Sequence, residues 1–164
     1  MKYENASNDD VKRAQTPHNL FISGLFMFDL LMTPAILALR IGMIGLLIPL
    51  MFSGALIAYI YVRSKKTTTW FVDMHWKLAF TRAKLLLTGY AVTAALIFLA
   101  WLLSLAMKDP HMGNIIWTAL TRIALMPTLI LVMITAVLEF SGSALAVKRE
   151  VPDKLATLFP APAA

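Results

Sequence analysis

Two opposite charges stand where charge is expensive. Asp29 falls inside an apolar run from Leu20 to Val62, and Arg122 falls inside a second run that opens at Ile115. At 1.5 Å rise per residue, Asp29 lies ~16 Å below the turn at Arg40, and Arg122 lies ~14 Å past Gly113. A lone charge at mid-span costs on the order of 2.5–3.5 kcal/mol on insertion scales. A carboxylate and a guanidinium at matched depth on different helices offset that cost by pairing. An intramembrane ion pair between Asp29 and Arg122 is therefore expected.

The first span carries a polar stripe. His18, Asp29 and Arg40 are spaced eleven apart, and eleven residues turn a helix by about 1100°, within about 20° of three full turns. The three thus lie on one line, with Thr33 beside it. A proton or ion route would use such a line. A buried face packed on neighbouring helices or on a partner subunit would use it equally. Packing is the favoured reading, because the second and third spans offer no ionisable side chain beyond Tyr59 and Tyr90 near their ends. Pro34, Pro49 and Pro127 each interrupt a span and free a carbonyl four residues back. Asp29 and Arg122 each stand five residues before such a proline.

Other chemistries find little footing. With no cysteine, thiolate metal sites, disulfides and cysteine nucleophiles are excluded. Of the histidines, His18, His75 and His111, only His18 and His75 could share a depth and hold a haem, and both sit at the membrane edge. Trp76, His75 and Arg82 could line a quinone, although nothing in their spacing demands it. Asp73 and His75 are two apart, point to different helix faces and make a poor metal pair. Nucleophile–base, paired-carboxylate and phosphate-loop patterns are absent. The expectation is no enzyme, no metal and no cofactor.

The elements that position these residues are membrane spans. The chain has 164 residues, 59% of them hydrophobic and 15% charged, with mean hydropathy +0.72. Soluble domains carry about 25% charge. The run from Leu20 to Val62 is about twice the ~20 residues one crossing needs. Four spans follow, at about 20–39, 43–62, 85–107 and 115–138. They are flanked by a polar segment 1–19, with no removable signal peptide expected, and by a tail 148–164. The tail beyond Glu150 contains Pro152, Pro160 and Pro162 and is expected to be loose.

The net charge of +6 is distributed topogenically. With both termini and the middle loop on one side, that side holds Lys2, Lys12, Arg13, Arg63, Lys65, Lys66, Lys77, Arg82, Lys84, Lys148, Arg149 and Lys154. The other side holds Arg40 and Lys108. Twelve against two obeys the positive-inside rule, so both termini are expected in the cytoplasm. The stretch from Trp70 to Lys84 mixes aromatic and basic residues. It reads either as an interfacial amphipathic helix or as an extension of the third span. Trp70, Trp76, Lys77, Arg82 and Lys84 are expected at the lipid interface, near anionic headgroups. The cluster is too short for a nucleic-acid arm. Gly54 with Ala58, Ala91 with Ala95, and Gly142 with Ala146 are small pairs that favour helix association.

The sequence thus predicts an all-α integral membrane protein. It has four transmembrane helices in a bundle over 20–147 and both termini cytoplasmic, in a bacterial inner membrane. The favoured function is a non-catalytic accessory or assembly subunit of a larger membrane complex. A small transporter or proton-pathway component using Asp29 and Arg122 is the alternative. A haem- or quinone-binding redox subunit using His18 and His75 is a further one.

Overall fold

The computed structural model describes residues 1–39 and 43–161, and Arg40 at the first turn lies outside them. It is all-helical, 83% helix, with no strand among the described residues. Four helical runs are long and apolar enough to cross a membrane: Asn8–Ala38, Ile44–Ser64, Trp70–Leu105 and Pro110–Val147. They overlap the four apolar segments read from the sequence, but three of them run well past the lipid-matched length. The 36 residues of Trp70–Leu105 reach about 54 Å at 1.5 Å per residue, against ~30 Å of hydrocarbon.

Local chemistry explains the extensions. Helix α1 (Asn8–Gly24) starts within the polar N-terminal segment, because Ser7 and Asp10 form a capping box. The Ser7 hydroxyl accepts from the Asp10 amide and the Asp10 carboxylate accepts from the Ser7 amide, each at 3.1 Å, which satisfies two otherwise orphan donors. The run then widens into a π-helical segment, Leu25–Met32, before α2 (Thr33–Ala38). Pro34 lacks an amide, so the helix cannot keep its regular ladder there. Both the Thr33 amide and its hydroxyl reach back to the Phe28 carbonyl, the hydroxyl at 3.1 Å.

Helix α3 (Leu47–Ser64) ends in the basic loop. Asp73 then caps the next helix by accepting from the Thr68 amide and hydroxyl at 3.0 and 2.7 Å. From Trp70 to Leu105 the chain is one continuous helix, α4. An interfacial helix distinct from the third span is therefore not formed. No proline or glycine interrupts residues 70–88, and a bend would leave backbone groups unpaired. Asp109 caps α5 (Pro110–Ala124), with Pro110 in the first turn. A break at Leu125, two residues before Pro127, leads into α6 (Met126–Val147).

The tail is ordered rather than loose through its first proline. Met1 and Val151 exchange backbone hydrogen bonds at 2.8 and 2.9 Å, and the Tyr3 amide donates to the Arg149 carbonyl at 2.7 Å. Arg149 takes a left-handed φ of 57° to make that turn. Beyond Pro152, α7 (Asp153–Leu158) buries Leu155. Val151, only 1% exposed, gives the tail an apolar anchor.

The chain divides into two compact units. Unit 1 comprises Met1–Ala83 and Thr135–Ala164, with Phe21, Leu25, Ile60, Phe71, Val72 and Ala146 in its core. Unit 2 is Lys84–Ile134. Within unit 2, Thr93 donates its hydroxyl to the Ala124 carbonyl at 2.8 Å and pairs with the Thr128 hydroxyl at 2.8 Å. Thr93 has one proton to give, so Thr128 is the donor in the second bond. The pair serves a carbonyl at the Leu125 break, where the helical ladder is interrupted. Thr93→Val should destabilise unit 2 by about 0.5–1.5 kcal/mol, read as a lower unfolding midpoint in detergent.

Candidate functional site

The helix extensions of unit 1 bring four ionisable side chains together. His18 comes from α1, His75 and Arg82 from α4, and Glu139 from α6. Each lies just outside an apolar span read from the sequence, at the end of the unit that carries both termini. Seven residues separate His75 from Arg82, two helical turns, so both point to one face of α4. Between them Ala79 is fully buried, as is Ala83 beside Arg82, and such small side chains let helices approach closely.

The side chains form a series. His18 Nδ1 lies 2.6 Å from Glu139 Oε2, and His18 Nε2 lies 2.9 Å from His75 Nδ1. Arg82 donates to the Leu138 carbonyl, and its Nη1 stands 3.8 Å from Glu139 Oε1. His18 and Glu139 are wholly buried and His75 is 1% exposed. The two imidazoles meet edge to face, with centroids 5.2 Å apart. Phe71 packs edge-on against His75 at 4.8 Å and stacks on Tyr3 at 6.0 Å, roofing the cluster. Glu139 Oε1 and His75 Nε2, the two ends of the series, form no well-made hydrogen bond among the described residues. The Glu150 backbone interacts with the His75 ring at that end.

Gly142 makes the arrangement sterically feasible. It lies three residues past Glu139, on the same side of α6. A Cβ there would overlap Arg82 Nη1 and come within 2.5 Å of His18 Cε1 and Nδ1. Beside the cluster, Ser143 donates to Asn19 at 3.1 Å and accepts from Gln15 at 3.4 Å.

The residues singled out in the sequence are distributed differently. Asp29 is buried in unit 1 and accepts from the Ser53 hydroxyl at 2.9 Å. His18 is buried at the head of the same helical run, and Thr33 is half-buried. The π segment Leu25–Met32 lies between His18 and Thr33 and widens the turn there, and His18 and Asp29 are both buried. Arg122 is exposed on α5, in unit 2.

Of the residues expected at the lipid interface, Arg82 lies on the inner face of α4. Its side chain is only 11% exposed and turns inward, because Glu139 and the Leu138 carbonyl offer partners that lipid cannot. Trp76 is likewise buried, under the Arg63 guanidinium at 5.3 Å and the Tyr59 ring at 5.9 Å. Trp70 donates to the Phe159 carbonyl at 2.9 Å, and the Lys77 ammonium sits 3.8 Å over the Phe159 ring. Lys84 is exposed.

His18 and His75 do not fit a sandwiched haem as they stand. Two metal–nitrogen bonds of ~2 Å on opposite sides of one ion need nitrogens roughly 4 Å apart, whereas these nitrogens are hydrogen-bonded at 2.9 Å. Among the described residues, no group of three or more metal-ligating side chains is found. Glu139 is the member that sequence reasoning missed. Its signal was a single carboxylate directly after an apolar run, with glycine three residues on.

Fold and composition together define the class, an all-helical integral membrane protein with four apolar helices. Beyond that class, no protein-family model matches the chain, and no curated protein and no solved structure does.

Proposed function

We propose that this protein is a non-catalytic accessory subunit of a larger membrane complex. In this reading the four spans form a bundle with both termini on the cytoplasmic side of a bacterial inner membrane, and basic loop residues meet anionic headgroups. The observation that carries it is Arg122, an exposed cation within an apolar span. The only acidic residue in unit 2 is Asp109, thirteen positions earlier and about 20 Å away along a helix. A cation at that depth needs a counter-charge, and unit 2 supplies none in reach. The counter-charge is then Asp29, as the sequence suggests, or a carboxylate on a partner chain.

Native sizing after mild solubilisation tests the reading. The 18.2 kDa chain should migrate with other membrane proteins, and a lone monomer would overturn the proposal. Arg122→Leu should lower accumulation several-fold. Adding Asp29→Leu should restore it if those two pair. A double variant no better than the singles would show that Asp29 and Arg122 do not pair.

A proton-handling role is the second reading, favoured by the hydrogen-bonded series through His18. Asp29, eleven positions further on, accepts from the Ser53 hydroxyl. Phe21 and Leu25, each 1% exposed, stand between His18 and Asp29 on the same helix face.

A further inference from the structure

We propose that Glu139, His18 and His75 form a buried proton-binding relay, which loads one proton through His75 Nε2 and holds it on Glu139. The observation behind it is the linear order of the atoms. The chain runs from Glu139 Oε1 and Oε2 to His18 Nδ1 and Nε2, then to His75 Nδ1 and Nε2. Both terminal atoms are buried and neither makes a well-formed hydrogen bond among the described residues, with the Arg82 guanidinium 3.8 Å from one and the Glu150 backbone beside the other. Buried polar atoms left without a well-made hydrogen bond are uncommon in folded proteins and call for an explanation beyond packing.

With both imidazoles neutral, the proton count has two complete solutions. In the first, Glu139 is a carboxylate and His18 donates to it from Nδ1. His18 Nε2 then has no proton and accepts from His75 Nδ1, which leaves a lone pair on His75 Nε2. In the second, a proton arriving from water has formed an N–H bond at His75 Nε2. The His75 Nδ1–H bond has broken as the His18 Nε2–H bond formed. The His18 Nδ1–H bond has broken as the Glu139 Oε2–H bond formed. One proton has entered, both histidines have changed tautomer, and neither has become an imidazolium. Both inter-residue hydrogen bonds persist with donor and acceptor reversed.

The surroundings suit this exchange. Arg82 from α4 faces the Glu139 end and stands opposite the carboxylate form at 3.8 Å. Its Nη1 donates to the Leu138 carbonyl, so it faces Oε1 as an ion-pair partner rather than through a short hydrogen bond. At the other end the Glu150 backbone interacts with the His75 ring. Glu150 belongs to the segment tied to the N-terminus by the Lys2–Glu150 bridge. The remaining neighbours, Gln15, Asn19 and Ser143, are neutral. The entry point therefore lies at the unit's terminal end, beneath a short backbone pairing that can open locally. The relay is independent of whether the protein works as a subunit.

The test uses the full chain in lipid nanodiscs with nitrogen-15-labelled histidine. Ring-nitrogen NMR and infrared difference spectra are recorded from alkaline to acidic pH. His18 and His75 should pass together from the Nδ1–H to the Nε2–H form. One carboxylic-acid band should appear at the same midpoint, with one proton taken up per chain. Glu139→Gln should abolish both signals, and His75→Phe should abolish the coupled tautomer change at His18. If the wild-type histidines keep one tautomer across the range, or if either becomes an imidazolium, the relay is overturned. The wild-type measurement decides this even if a variant fails to fold.

Discussion

Glu139→Leu is expected to destabilise the protein by about 3–5 kcal/mol, the range for removing one partner of a buried charge pair. The loss has two sources. Arg82, with its side chain 11% exposed, keeps its charge but loses the opposing carboxylate. The buried His18 Nδ1 loses its partner at 2.6 Å. Glu139→Gln retains the shape and one hydrogen bond, and its cost should fall to about 1–3 kcal/mol. Adding Arg82→Met to Glu139→Leu removes the stranded cation, so the double variant should recover much of the loss. Unfolding midpoints in one detergent, read for all four proteins, check this. A leucine variant as stable as the parent would show that the cluster contributes nothing to folding.

The second large effect is expected at Gly142. Alanine adds a single methyl group and is ordinarily the better helix former, by about 1 kcal/mol. Here the sign reverses. The new Cβ would overlap Arg82 Nη1 and sit 2.5 Å from two atoms of the His18 ring. The arginine end is flexible and can retreat by giving up the Leu138 carbonyl. The His18 ring cannot, because Glu139 and His75 hold its two nitrogens on opposite sides. Overpacking of this kind costs about 1–3 kcal/mol, and leucine at the same position should cost more. Gly54 supplies the control, since a Cβ there meets nothing within 4 Å. Gly54→Ala should be neutral or mildly stabilising. If Gly142→Ala melts no lower than Gly54→Ala, the close approach of α6 to α1 is not real.

Sequence and tertiary structure divide the determination of this protein along a physical line. The four membrane helices were legible because lipid cannot satisfy a backbone amide, so a long apolar run must close its own hydrogen bonds as a helix. That constraint is local and acts on each segment alone. The Asp109–Pro110 helix start and the break before Pro127 are local for the same reason. Whether Trp70–Lys84 lay along the surface or continued the third span was not decided by periodicity. A mixed stretch allows both, and the tail and N-terminus packed over Trp70 and Phe71 are known only once the chain has folded.

Arg82 shows the limit most plainly. Read alone, a basic residue among aromatics at a span end belongs at the headgroups. Its inward turn depends on Glu139, 57 positions away in sequence. Glu139 in turn meets His18 from 121 positions away. The stripe of His18 and Asp29 was visible as helix phase, but phase says which residues share a face and not what covers it. What the sequence determined by itself was the solvent, the spans and the polar residues. Which of those residues meet was decided only when three helix extensions, each longer than the membrane requires, packed against one another around a glycine.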